Sequence, residues 1–304
     1  MFGYNYSKPG KGVNKRDPNQ PRISIFFELL FRKLWDLCKV NLFYILTAIP
    51  TFIVTMVVVG ILSSRVTEAA IPLVVNALEL PQDDLSNPLV VNMVAKFDVF
   101  MRILFAFLFM VYLGQGPVTA GITFVLRNYA REDHAWFFSD WWDNTKSNFR
   151  QAMVVWVIDL EVFCIFTVSI GVYLTIGGTL SYLVGVVIAV CLVYLMMHFY
   201  IYQLMITFEN SLVAIYRNAF ALTIQRLPKN LLMLLILLVV HIGLPIVGIM
   251  IGWKGVTWIL FLGAEVLILL AASGFMTNFF VYPQLEQYIK EYKQEDVSDE
   301  QWLQ

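Results

Sequence analysis

Six ionisable side chains stand in or beside long apolar runs, and they are the groups through which this chain could do chemistry. Asp159 and Glu161 lie in WVIDLEVF, Glu265 in FLGAEVLILL, His241 in LLVVHIGL and His198 toward the end of a fourth run, while Arg102 opens another. A charge at mid-membrane costs roughly 2.5–3.5 kcal/mol on an insertion scale, so a chain that keeps one has a use for it. Residues two apart on a helix point about 200° from each other. Asp159 and Glu161 therefore face opposite ways, and at most one belongs to a given small site. Three roles stay open for them: a buried structural hydrogen bond, a proton- or ion-linked site, and a site for a sugar or other polar ligand. His241 alone reads first as an interhelical hydrogen-bond donor. Arg102 answers Glu265 if the two faces meet. Asp159, Glu161, Glu265, Arg102 and His241 thus form the candidate ligand or ion site.

Other chemistries find little support. No His, Cys, Asp or Glu group has the spacing of a metal site, so neither metal nor cofactor is expected. Cys164 lies one turn from Glu161, but no histidine or lysine is placed to activate it, and no HExxH motif occurs. His134, Asp140 and Asp143 suit the wet face of an interfacial helix. The expectation is a protein that is not an enzyme.

A second constellation is GQGPVTAG, residues 114–121, within an apolar run. Pro117 cannot donate to residue 113, and its ring clashes with that turn. Gly114, Gly116 and Gly121 permit close approach of neighbouring helices. Two readings follow: a kinked span with a small-residue packing face, or a discontinuous helix lining a polar cavity, as in many transporters.

The elements that position these residues follow from composition. Apolar residues make up 59% of the 304 and charged ones 14%, with mean hydropathy +0.70; soluble domains carry about 25% charged residues. The chain reads as an all-α membrane protein with six spans, at about 40–62, 98–126, 151–175, 180–206, 230–251 and 256–281. A segment over 1–22 precedes the membrane domain at 23–287, and a tail over 288–304 follows it. The net charge of −1 implies no affinity for nucleic acid. Lysine and arginine fall eight in 1–39, four in 127–150, three in 207–229 and two in the tail, against four elsewhere. That bias puts both termini on the cytoplasmic side. The N-terminal segment is polar and basic, with no apolar stretch for a signal peptidase. Cys38, Cys164 and Cys191 read as reduced core thiols. Tight antiparallel hairpins join spans three and four, and five and six. A longer outer loop over 63–97 carries Glu68, Glu79, Asp83 and Asp84, with a helix start at SNPL, 86–89.

Three inner segments read as interfacial amphipathic helices. In 26–42, Phe27, Leu30, Phe31, Leu34, Leu37 and Cys38 share one face, opposite Glu28, Arg32, Lys33, Asp36 and Lys39. Segments 131–147 and 211–227 are similar. Anchored on Asn41, Asn148 and Asn230, the three align as a candidate repeat of interfacial helix, corner, span out and span back. Arg127, Arg131, His134, Trp136, Trp141 and Trp142 present a candidate partner surface on the inner side.

FGYNYSKPGKGV at the start, GPVTAG at 116–121 and VLRNYAREDHAWFFSDWWDNTKSNFRQ after it resemble the YesL-like integral membrane proteins of Gram-positive bacteria. The resemblance implies a multi-pass protein of the bacterial cytoplasmic membrane, whose family associates with carbohydrate uptake. It carries over no site residues. The expected role is an accessory or regulatory component of a carbohydrate importer, in contact with lipid and with the importer's membrane subunits. The alternative is a small transporter that uses the broken second span and the intramembrane carboxylates.

Overall fold

The computed structural model describes residues 20–77 and 88–302, and they are helical almost throughout. α1 is Arg22–Arg32, α2 Leu34–Ala77, α3 Pro88–Tyr112, α4 Pro117–Arg131, α5 Phe137–Ser147 and α6 Phe149–Ile176. A 3₁₀ turn leads into α7, Leu183–Thr207; then come α8, Leu212–Gln225, and α9, Leu227–Leu238. α10 is Leu244–Met250, α11 Gly255–Ala264 and α12 Leu270–Trp302, and π-helical turns at Val239–Gly243 and Glu265–Leu269 join α9 to α10 and α11 to α12.

Among the described residues, five stretches are long and apolar enough to cross a membrane: Leu34–Val58, Phe149–Leu174, Gly178–Thr207, Leu227–Gly248 and Gly255–Gln287. The expected span at 98–126 is not among them, because it is divided between α3 and α4. α11 buries none of its ten residues although GVTWILFLGA is nearly all apolar. Such a surface is at ease in lipid and not in water. The chain is a multi-pass membrane protein.

Two expected features change. The loop over 63–97 is largely helix: α2 runs on to Ala77, and α3 opens at Pro88 and packs along it. Proline suits that first turn because its missing N–H has no partner there in any case. The proposed caps Ser86 and Asn87, with Glu79, Asp83 and Asp84, lie outside the described residues, as does the opening YesL-like segment. The amphipathic helix over 26–42 is broken at Lys33, and the face it buries is turned from the expected one: Phe26, Leu29, Leu37 and Val40 are buried, whereas Phe27, Phe31 and Leu34 are exposed.

Short helix, one-residue corner and long helix recur three times. The corners are Lys33, Asn148 and Arg226, with φ, ψ of −97°, 9°, of −100°, 7° and of −117°, 25°. In each, the corner N–H still donates to the carbonyl four residues back. The asparagine register does not carry over, because each asparagine does a different job. Asn148 is itself a corner. Asn230 sits inside α9 and reaches back to the Leu222 and Thr223 carbonyls. Asn41 lies well inside α2 and binds the backbone of the second π turn.

Among the described residues the core forms two main clusters that share α4 and α12, and a small third one around Ala48 and Leu270. The first gathers Tyr200, Ile201 and Leu204 of α7 with Ile215, Leu234 and Leu285. The second packs Phe26, Leu29 and Leu37 on Val125, Leu126 and Phe275. α4 touches α2, α5, α6, α7 and α12, so whatever interrupts it is felt throughout the bundle.

Candidate functional site

The interruption at Leu113–Gly116 is a true break. Gly114 and Gly116 take φ of 85° and 61°, conformations that side chains resist. Lipid cannot satisfy the backbone groups freed there, so protein must do so. Gln115 N–H donates to Thr119 Oγ1 at 2.6 Å, and the Leu113 carbonyl accepts from Tyr202 OH at 3.4 Å. Gln115 turns inward, 4% exposed, and its amide donates to the Tyr44 carbonyl at 2.9 Å. The small residues also pack closely. A Cβ on Gly116 would meet the Ala152 carbonyl at 3.1 Å, and one on Gly121 the Trp141 carbonyl at 2.5 Å. Break and packing face, alternatives in the sequence, coexist.

Beside the break lies a cavity of about 130 Å³. It is close in size to an engineered cavity of about 150 Å³ that admits benzene. Gly114, Tyr112, His198, Tyr202, Gln203 and Asn278 contribute to its wall, with Thr119, Thr123, Ser273 and Thr277 adding hydroxyls. Among the described residues, no Asp, Glu, Lys or Arg lines it. The carboxylates stand one layer behind, each held by a histidine.

The first pair is Asp159 and His198. Asp159 is fully buried in α6 and accepts from Tyr194 OH at 2.6 Å through Oδ1. His198 Nε2 lies 2.9 Å from the same oxygen. It sits off the ring N–H axis, so the attraction is that of close polar groups rather than a straight hydrogen bond. The second pair is His241 and Glu265. Nδ1 of His241 lies 3.0 Å from Glu265 Oε1, and Nε2 lies 2.9 Å from Ser273 Oγ. Each member sits in one of the two π turns. Inserting a residue into a helix re-aims a side chain, and such turns recur at functional sites. The displaced backbone of the second turn is met by Asn41. Its amide donates to the Glu265 carbonyl at 2.8 Å and the Val266 carbonyl at 2.7 Å, and its Oδ1 accepts from Ala271 N–H at 2.7 Å.

Several buried polar atoms around the cavity have no hydrogen-bond partner among the described residues: Tyr112 OH, His198 Nδ1 and Gln203 Oε1 in the wall, Asp159 Oδ2 and Glu265 Oε2 behind it. Buried polar groups are ordinarily satisfied, so this wall is suited to a polar solute. Gln203 donates to Asn278 Oδ1, which ties α7 to α12 across the cavity.

Of the five candidate ligand-site residues, Asp159, His241 and Glu265 border this region. Glu161 does not: it points away from the bundle and is exposed, as the 200° separation requires. Arg102 does not meet Glu265. It pairs with Asp98 one turn earlier at 2.5 Å, and Glu265 is taken by His241. The partner surface is also smaller than expected. Arg131, His134, Trp136 and Trp142 are exposed, but Arg127 is buried and Trp141 packs edge-on against Phe43 with ring centres 4.6 Å apart. α4 stays packed to its last turn, so RNYARED does not emerge where its charges begin.

The sequence left His198, Tyr194, Gln203, Asn278 and Asn41 out of the site. A signal for the histidine was present: Asp159 and His198 stand at similar separations from the glycine turn at 177–178, and His241 and Glu265 at similar separations from Gly252. In a tight antiparallel hairpin, residues at equal separations from the turn lie at equal depth.

No curated protein and no solved structure matches the chain. Residues 99–170, from α3 through the break and α5 into α6, match the family described as a protein of unknown function, DUF624. That family includes the YesL-like proteins, so the resemblance carried by GPVTAG and RNYARED holds in the segment that contains the break and Asp159.

Proposed function

We propose that this protein binds a small, neutral, hydroxyl-bearing solute in the cavity beside the break and carries it across the cytoplasmic membrane. The carrying observation is one cavity bordered both by a broken helix and by two buried histidine–carboxylate pairs. Hydroxyl and amide groups without a lining charge favour a neutral solute over an ion. Ionisable residues kept inside a membrane recur in proton relays, so a proton gradient is the driving force to test. In this reading α3 and α4 together make the second of six crossings, the short helix–corner–long helix unit is a threefold repeat, and both termini face the cytoplasm. The carbohydrate association implied by the YesL-like resemblance makes sugars and polyols the first solutes to try. An accessory role on an importer rests on the exposed aromatics Trp136 and Trp142, which anchoring in lipid headgroups explains as well.

The test is uptake of glycerol and monosaccharides by proteoliposomes, with and without an imposed pH gradient. Wild type should accumulate at least one of them, and His198→Gln, Gln203→Leu and Asp159→Asn should each cut the initial rate by about two- to tenfold, the worth of one hydrogen bond. Absence of flux for every neutral hydroxylated solute, together with co-purification on an importer's membrane subunits, would replace this reading with the accessory one.

A further inference from the structure

Away from the cavity, near the last turn of α4, Arg127 is 7% exposed. The aromatic rings of Phe124 and Tyr282 lie 5.1 Å and 5.5 Å from its guanidinium carbon. Nη1 donates to Thr207 Oγ1 at 2.7 Å, and Nε is buried with no hydrogen-bond partner among the described residues. The charges nearby do not neutralise it. Arg131, one turn on, stacks on the same Tyr282 ring at 4.8 Å and is paired with Asp133 at 3.1 Å. Among the described residues no carboxylate lies within ion-pairing distance of Arg127. Buried cations are ordinarily paired, because a guanidinium out of water without a counter-charge is costly.

The geometry points to a phosphate-type anion bound by Arg127. With aromatic rings beside the guanidinium and Nη1 committed to Thr207, the edge formed by Nε and Nη2 is left, and that edge presents two parallel N–H groups to two oxygens. Arg131, over the same Tyr282 ring, places a second positive charge nearby. The same chemistry is offered by an anionic lipid headgroup and by free inorganic phosphate. This site shares no lining residue with the cavity, so it stands or falls apart from the transport reading.

The apparent melting temperature of the full chain in a maltoside detergent tests it. Phosphatidylglycerol, phosphatidylcholine and inorganic phosphate are titrated separately, and Arg127→Gln, Arg127→Lys and Arg150→Gln are compared with wild type. Wild type should be stabilised by phosphatidylglycerol, by inorganic phosphate, or by both, and more than by zwitterionic phosphatidylcholine. A response to phosphatidylglycerol alone assigns a lipid, and a response to inorganic phosphate assigns a soluble anion. Arg127→Gln should weaken the apparent affinity at least about tenfold, Arg127→Lys should weaken it less, and Arg150→Gln, an exposed cation at the start of α6, should leave it unchanged. If Arg127→Gln does not fold, wild type and the lysine variant still decide. No anion-specific stabilisation of wild type, or the same stabilisation in the Arg127 variants, overturns the assignment.

Discussion

His241 and Glu265 meet at 3.0 Å from the π turns of two consecutive helices, and Asn41 of α2 holds the backbone of the second turn with three hydrogen bonds. A π turn in a membrane protein leaves carbonyls that lipid cannot satisfy. The side chain of a third helix satisfies them here, so the placement of Glu265 depends on a residue far from it in sequence.

Asn41→Leu should therefore destabilise the fold by about 2–4 kcal/mol, since it leaves buried carbonyls and an N–H without partners. The apparent melting temperature should fall by about 5 °C or more. A variant that melts within a degree of wild type would show that the π turn does not need Asn41.

Tyr194 and His198 share one oxygen of Asp159. In a double-mutant cycle on stability, Tyr194→Phe and Asp159→Asn should be non-additive by about 0.5–3 kcal/mol, the range for residues in direct contact. Additive effects would mean that the bond does not form in the folded protein.

Glycine is required at the break, whereas Gly263 is dispensable. Gly116 has φ of 61°, and a Cβ there would meet Trp156 and the Ala152 carbonyl at 3.0–3.1 Å. Gly116→Ala should cost about 2 kcal/mol or more from strain and overlap. Gly263→Ala, with nothing within 4 Å and an ordinary helical backbone, should be neutral or slightly stabilising. Thermal melts of the two proteins side by side check the contrast, and an equal response would remove the special status of the break.

Topology can be read by labelling. With Cys38, Cys164 and Cys191 replaced by alanine, Lys254→Cys should react with a membrane-impermeant maleimide in intact cells. Arg131→Cys should react only after permeabilisation. Both residues are exposed, at Lys254 before α11 and at the end of α4. The reverse pattern would invert the orientation drawn from the lysine and arginine bias.

Composition and hydropathy alone determined the class, the apolar rods and the tight hairpins at Gly177 and Gly252, because burial in lipid is written residue by residue into an apolar run. An interruption near Pro117 was also legible from the proline and the three glycines, but whether the helix kinks or breaks there was not. Which partner each buried polar group takes was not local. Arg102 turned to Asp98 and Glu265 to His241, Asn41 reached α12 across the bundle, and Arg127 was drawn inside although its neighbours are charged. In lipid a polar group is settled only by whichever complementary atom packing brings within about 3 Å, and that choice belongs to the tertiary structure.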